Sequence, residues 1–96
     1  MNEMVWDLLE SNASERYFVD NAEEPGFLIG RGPWAIHGEW TLYMNRVSAL
    51  GSFTSRQKAR ERLLKMVQGA KEPVKVFRET RRGRQLFAES REGGKK

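Results

Sequence analysis

Residues 34–68 constrain the fold of this chain more than any other segment, because two side-chain periodicities meet there. Alternating apolar and polar residues around Gly38 predict a tight β-hairpin, with strands at about 34–37 and 39–44. A third strand is expected at about 47–53, and an amphipathic helix follows at 55–68. The expected centre of the fold is therefore a short antiparallel sheet that carries one helix.

The helix pattern has a recognisable start, a recognisable end and an apolar side. Thr54 and Gln57 have the spacing of a capping box, in which each side chain bonds the backbone N–H of the other residue. Gly69 supplies a C-terminal glycine stop. The stripe that should face the sheet consists of Ala59, Leu63, Met66 and Val67, with Leu64 at its margin.

The first hairpin also predicts which of its faces is buried. Side chains alternate across a strand, so one face should enter the core and the other should remain open to solvent. Tyr43 is the exposed aromatic residue expected on the open face. The core face is expected to hold Trp34, Ile36, Trp40, Leu42 and Met44.

The flanking segments extend this unit on both sides. A short helix at about 3–10 should close the remaining side of the core. Residues 16–20 fit either a brief strand or an extended packing segment, and 27–29 fit a first strand. After Pro73, residues 74–90 predict a second hairpin that turns at Arg82 and Gly83.

The fold class predicted from these elements is α+β. It comprises a small antiparallel β-sheet of three to five strands, one amphipathic helix packed across it, and a short N-terminal helix. Residues 1–90 are expected to form a single domain, and 91–96 a flexible basic tail. In the second hairpin one face should carry Val74, Val76, Leu86 and Ala88, and the other face Phe77 and Phe87.

Composition argues against several classes of protein. The 96 residues include no cysteine, so no disulfide or thiolate–metal site is expected, as is typical of the reducing cytoplasm. Hydrophobic residues make up 39% of the chain, which suffices for a modest core. No apolar run approaches the roughly 20 residues of a membrane span, and the acidic start does not fit a signal peptide. We therefore expect a cytoplasmic protein that does not bind membranes.

The net charge of +4 is distributed unevenly along the chain. Residues 1–24 are rich in aspartate and glutamate, whereas most of the positive charge lies beyond Phe53. Such an asymmetry favours a polyanionic partner for the second half. The alternative is that the acidic end lies against the chain's own basic end.

No pattern of catalytic or metal-binding residues accompanies this charge. His37 is the only histidine, and together with Glu39 it would supply two ligands where a metal site needs three or four. Gly30 and Gly32 are not followed by the Gly-Lys-Ser/Thr ending of a P-loop, and no nucleophile elbow occurs. We therefore expect neither enzymatic activity nor a metal or other cofactor.

A concentration of basic residues in two predicted elements favours binding as the function. Arginine and lysine neutralise phosphates, and an exposed aromatic ring can stack on an unpaired base. The alternative is a solvated helix face and a basic turn that serve solubility alone. The candidate binding residues are Arg56, Lys58, Arg60, Arg62 and Lys65 of the helix, Arg78, Arg81, Arg82 and Arg84 of the second hairpin, and Tyr43 and Arg46 of the sheet.

These residues lead to three hypotheses about function. The first is a small non-enzymatic protein that binds DNA or RNA. The second is a protein-interaction factor, such as a small inhibitor or adaptor from a mobile element or phage, that binds an acidic or nucleic-acid-binding surface of a partner. The third is a homo-oligomer in which the acidic first helix of one copy meets the basic end of another.

Element order adds two resemblances to nucleic-acid-binding families. The order helix–strand–strand–strand–helix resembles double-stranded-RNA-binding domains. Gly32-Pro33, His37 and residues 55–59 are similar to that family's Gly-Pro-x-His loop and Ser-Lys-Lys-x-Ala-Lys helix start, although the Pro–His gap is longer here and a further hairpin follows. Three strands followed by a helix also resemble small domains that lay a sheet in the DNA major groove. Both resemblances cover about half of the chain and imply nucleic-acid binding.

Overall fold

The computed structural model describes residues 3–31, 39–44 and 48–90, and their architecture is α+β. The strands of these residues form one antiparallel six-stranded sheet in the order β4-β3-β2-β1-β5-β6. No helix within the described ranges is long and apolar enough to cross a membrane. The elements are α1 (Glu3–Asn12), β1 (Glu15–Val19), β2 (Phe27–Gly30), β3 (Trp40–Met44), β4 (Ser48–Phe53), α2 (Arg56–Gln68), β5 (Val74–Thr80) and β6 (Gly83–Ser90).

The predicted α+β class is confirmed, but the prediction of three to five strands is wrong. The additional strand is β1, which lies at the centre of the sheet between β2 and β5. Its sequence does not show the alternation of a half-buried strand, because the consecutive residues Tyr17 and Phe18 are both buried, one on each face of the sheet. By pairing with β2 and β5, this strand joins the meander and the C-terminal hairpin into one sheet.

The hairpin partner of β3 differs from the prediction. β3 pairs with β2 along one edge and with β4 along the other, so both edges of Trp40–Met44 are occupied. Residues 34–37, which include the predicted core residues Trp34 and Ile36, lie outside the described ranges. The predicted core face of β3 is confirmed, because Leu42 is fully buried and Trp40 and Met44 pack against the same cluster.

The main core lies between α2 and one face of the sheet, which we call the α2 face. Ala59, Leu63 and Val67 are buried on the helix, and Met66 is half-buried. Their spacing of three or four residues places them on one stripe, as predicted. Across from them the sheet contributes Tyr17, Phe27, Ile29, Leu42, Val76 and Ala88.

The start of α2 is one residue later than the predicted cap, whereas its end agrees with the prediction. Ser55, rather than Thr54, is the N-cap: its backbone is extended and its Oγ accepts a hydrogen bond from the Lys58 N–H at 3.2 Å. Both hydroxyl residues suit this role chemically, so the backbone conformation decides between them. Gly69 is the C-cap, and its N–H donates to the Lys65 carbonyl at 3.0 Å.

Helix α1 covers part of the opposite face of the sheet, which we call the α1 face. Tyr43 lies there, but it is only 5% exposed because it packs with Trp6, Leu9 and Leu28. The predicted alternation of β3 is therefore correct, and the predicted exposure of Tyr43 is wrong. The apolar side of α1 supplies the cover that the pattern of β3 alone does not reveal.

The predicted C-terminal hairpin is confirmed, but a bulge changes the faces of β6. Val76 pairs with Ala88 and Phe77 pairs with Leu86, so Phe87 is an extra residue in its strand. Phe87 consequently packs against the main core, whereas Leu86 is 52% exposed. The prediction that Leu86 shares the core face with Ala88 is therefore wrong.

Candidate nucleic-acid interface

The topology of the sheet gathers arginines from distant segments at one end. Because neighbouring strands are antiparallel, the starts of β1, β3 and β6 lie beside the ends of β2, β4 and β5. The connection from β4 into α2 leaves from this end as well. We call it the arginine end, and the arginines in or next to these positions are Arg16, Arg31, Arg56, Arg60, Arg78, Arg81, Arg82 and Arg84.

The opposite end of the sheet has a different charge. It contains the turn after β1, the connection from α2 to β5, and the end of β6. We call it the acidic end. Among the described residues, its charged side chains are Asp20, Glu23, Glu24, Glu72 and Glu89, with Lys71 and Lys75.

The outer side of α2 presents a row of cations. Lys58, Arg62 and Lys65 are all exposed, and their spacing of four and three residues places them on one side of the helix. The row, which we call the α2 ridge, extends roughly 10 Å along the helix axis at about 1.5 Å per residue. That length corresponds to about three phosphates along one DNA strand, at roughly 3.4 Å each.

A pair of arginines flanks the α2 ridge at the arginine end. The guanidinium carbons of Arg31 and Arg56 lie 4.7 Å and 5.4 Å from the centre of the Trp40 ring. Both arginines are exposed, and stacking on an aromatic ring leaves the in-plane N–H donors of a guanidinium available to a ligand. Arg31 was not among the predicted site residues. Its position directly after a predicted strand was the available signal.

The β5–β6 turn is a second basic element. Arg81 and Arg82 form its two central residues and are exposed. Gly83 follows with φ 110°, a conformation that glycine adopts readily. Thr80 Oγ1 accepts from the Arg82 N–H at 3.1 Å and donates to the Gly83 carbonyl at 2.7 Å, which holds the turn in one conformation. We call Arg81 and Arg82 the arginine tip.

Two predicted interface residues, Arg60 and Arg78, contact a buried carboxylate and are therefore not free to bind a ligand. The Glu15 side chain is 1% exposed, and Arg60 Nε donates to both of its oxygens at 2.9 Å. Arg78 Nη2 lies 3.6 Å from the same carboxylate, and the Tyr17 hydroxyl donates to it. Both arginines are half-buried, and each contacts the buried Glu15 carboxylate.

The charge state of this buried cluster follows from its contacts. Burial alone would raise the pKa of Glu15, but hydrogen bonds from Arg60 and Tyr17 and the positive charges nearby hold it below its ordinary value of 4.5. Burial and the bond to Glu15 raise the pKa of Tyr17, and the bond to Glu15 also raises the pKa of Arg60. At neutral pH the carboxylate is therefore ionised and cancels one of the two arginine charges.

The three remaining predicted site residues differ in how accessible they are to a ligand. Arg84 is exposed, but its guanidinium carbon lies 3.6 Å from the centre of the Phe18 ring and its Nη1 donates to the Ala22 carbonyl at 2.8 Å. Tyr43 is buried beneath α1 and offers no stacking surface. Arg46 lies outside the described residues.

Comparison with known proteins identifies no relative: no family model, no curated protein and no solved structure matches the chain. The order of elements also departs from that of double-stranded-RNA-binding domains. In the part of the chain that the structure describes, four strands, rather than three, separate α1 from α2, and the two helices pack on opposite faces of the sheet. In the described ranges, no group of three or more histidine, aspartate or glutamate side chains could hold a metal ion. The features of the chain that bear on function are therefore its surface geometry and its charge.

Proposed function

We propose that this chain is a non-enzymatic nucleic-acid-binding protein that grips phosphates with the α2 ridge and the arginine tip. The observation that carries this proposal is the exposure of both elements. Lys58, Arg62 and Lys65 lie on the exposed side of α2, whose other side is buried. Arg81 and Arg82 are exposed in a turn that the hydrogen bonds of the Thr80 side chain stabilise.

Phosphate contacts, rather than base stacking, support the interaction. The predicted stacking residue, Tyr43, is buried, whereas the ridge and the tip offer ammonium and guanidinium donors that suit phosphate oxygens. Contacts of this kind fix the position of a protein on nucleic acid and carry little sequence information. We therefore propose binding with weak sequence preference.

The test is the salt dependence of binding to a labelled duplex, measured by fluorescence anisotropy. Each phosphate neutralised by a lysine or arginine adds about 0.9 to the slope of log K against log salt. Replacing Lys58, Arg62 and Lys65 together by glutamine should lower the slope by about two to three and weaken binding similarly for all sequences. Replacing Arg81 and Arg82 should lower it by up to about two.

Lys71 and Lys75 provide a matched control for the loss of charge. Both are exposed at the acidic end, so Lys71→Gln with Lys75→Gln removes two charges, as does the variant of the arginine tip. The control should change the slope by well under one contact. Equal effects of the control and the tip variant would show that net charge alone drives binding. Absence of binding at about 100 µM, the weak limit of non-specific association, would reject the proposal.

An acidic protein surface is the second candidate partner, and one observation favours it. Leu86 is 52% exposed on the α1 face and pairs with the half-buried Phe77, near Arg84. Arginine and apolar side chains together are typical of protein–protein interfaces. Leu86→Ser should leave affinity for nucleic acid unchanged but weaken such a protein complex, as measured by calorimetry with the partner. A protein complex that forms equally well with Leu86→Ser would reject this surface.

A further inference from the structure

Two arginines from different elements converge on one aromatic ring at the arginine end. Arg31 follows β2 and Arg56 is the first residue of α2, and their guanidinium carbons lie 4.7 Å and 5.4 Å from the centre of the Trp40 ring. Since both distances are measured to the same point, the two guanidinium carbons can be no further apart than the sum of these distances, about 10 Å. Trp40 packs against the main core, which gives the ring and the two guanidinium groups stacked on it a defined position.

In the part of the chain that the structure describes, no carboxylate forms an ion pair with either arginine, and neither guanidinium forms a hydrogen bond. The first turn of α2 contains no acidic residue either. Arg60 and Arg78 differ in this respect, because both contact the Glu15 carboxylate. Two like charges held close together repel each other. An anion that contacts both guanidinium groups would therefore relieve a repulsion that the protein itself leaves uncompensated.

The chemistry of the guanidinium group indicates which anion suits such a pair. Each guanidinium presents parallel N–H donors that bind two oxygens of a phosphate at once, so two guanidinium groups on one phosphate need several free oxygens. A phosphate within a strand carries a single charge and is esterified on both sides. A phosphomonoester, such as the phosphate at the end of a strand, carries a charge of about −1.5 to −2 at pH 7 and offers three acceptor oxygens. The pair therefore matches a terminal phosphate better than an internal one.

We propose that Arg31 and Arg56, stacked on Trp40, bind the terminal phosphate of a nucleic-acid strand. Both side chains are exposed, and stacking on the ring leaves their in-plane N–H donors free to contact phosphate oxygens. This inference rests on the proposed binding of nucleic acid, to which it adds a preference for phosphorylated strand ends. Such a preference concerns the end of a strand and is independent of its base sequence.

A DNA hairpin tests the proposal, because it has a double-stranded stem and only one pair of strand ends. The same hairpin is prepared with hydroxyl ends, with a 5′-phosphate and with a 3′-phosphate, and its binding to the full chain is measured by fluorescence anisotropy of a label in the loop. We expect at least one phosphorylated hairpin to bind about tenfold more tightly than the hydroxyl form, which corresponds to roughly one additional charge-assisted hydrogen bond. A slightly longer hairpin, in which only internal phosphates are added, controls for charge and should gain less than about twofold.

Variants separate the arginine pair from the overall charge of the protein. Arg31→Gln with Arg56→Gln should reduce the contrast between phosphorylated and hydroxyl ends to less than about twofold, because both guanidinium groups are lost. Arg31→Lys with Arg56→Lys keeps the two charges but not the planar donors, and should reduce the contrast to about threefold. The matched control, Lys71→Gln with Lys75→Gln, removes two charges at the acidic end and should retain the full contrast.

Three results would overturn the proposal. These are equal affinity of the wild type for all forms of the hairpin, a full contrast in the glutamine variant, or a full contrast in the lysine variant. If the glutamine variant fails to fold, the lysine variant decides alone. Equal and measurable affinity for all forms would reject only the terminal-phosphate site and leave the proposed function in place. Absence of binding to every form at about 100 µM would reject the proposed function, and this inference with it.

Discussion

Glu15→Gln is the substitution that tests the buried cluster most directly. It keeps the size of the side chain but removes the negative charge that Arg60, Arg78 and Tyr17 share. The glutamine amide retains one oxygen acceptor, and its NH₂ group would lie against the N–H donors of Arg60. We therefore expect a folded but clearly less stable protein.

The size of the loss follows from burial and from the freedom of the arginines. Removing one partner from a buried ion pair typically costs about 3–5 kcal/mol, because the remaining charge is left without compensation. Here the side chains of Arg60 and Arg78 are 25% and 39% exposed, so both can turn towards water after the substitution. We accordingly expect a loss of about 2–3 kcal/mol in the free energy of unfolding at neutral pH.

Urea denaturation as a function of pH provides the assay. Because the folded-state pKa of Glu15 lies below its ordinary value of 4.5, its ionisation stabilises the protein fully above that value. The contribution is lost as the pH falls from about 4.5 through the folded-state pKa. The stability curves of wild type and Glu15→Gln should therefore be well separated at neutral pH and approach each other in acid.

A double-mutant cycle with Arg60→Gln assigns the effect to the ion pair. Contacting charged residues typically show coupling energies of about 0.5–3 kcal/mol, and the two short contacts of the Arg60 Nε place this pair in the upper half. Two results would refute the reasoning: a loss below about 1 kcal/mol for Glu15→Gln at neutral pH, or a curve that stays parallel to that of the wild type in acid.

Two further predictions concern residues whose roles the structure revises. Tyr43→Ala should lower the free energy of unfolding by about 3 kcal/mol or more, because it empties a site beneath α1, and should leave nucleic-acid affinity unchanged once the protein is folded. A melting temperature equal to that of the wild type would contradict the burial of Tyr43. Ser55→Ala should cost about 1 kcal/mol through loss of the α2 cap, whereas Thr54→Ala should cost much less. Comparable losses for the two alanine variants in urea titrations would contradict the assignment of the cap.

The local elements of this fold were predictable because their signals are local. The buried stripe of α2, its glycine stop and the C-terminal hairpin follow from side-chain spacing and from glycines at the end of the helix and in the turn. The cap was misplaced by one residue because Thr54 and Ser55 have the same chemistry and differ only in backbone conformation. The bulge at Phe87 was missed for a related reason: alternation assumes an uninterrupted ladder.

The long-range features were not predictable from spacing. β1 is five residues long and buried on both faces, so its pattern does not alternate and its central place depends on pairing with β5, far along the chain. The covering of Tyr43 likewise depends on where α1 docks. A pattern within one strand tells which side chains share a face. It does not tell what lies above that face.

The same limit applies to the candidate interface. Arg60 and Arg62 are two residues apart on one helix, yet Arg60 binds the buried Glu15 and Arg62 is exposed. What separates them is a carboxylate that is distant in sequence and reaches α2 only through the position of β1. The number of basic residues in an element indicates a candidate surface, but it does not tell which of those cations are already neutralised within the protein.

The separation of charge along the sheet explains how a chain with a net charge of only +4 can present a strongly cationic surface. The seven residues of β5 span about 20 Å between the acidic end and the arginine end. At physiological ionic strength charges are screened over about 8 Å, so phosphates bound at the arginine end would hardly sense the carboxylates at the other end. At about 0.01 M salt the screening length grows to roughly 30 Å and the acidic end would oppose binding. The affinity of the wild type for a labelled duplex should therefore rise less steeply at the lowest salt concentrations than the number of phosphate contacts predicts. Replacing Glu23 and Glu24 by glutamine should restore the full slope of log K against log salt.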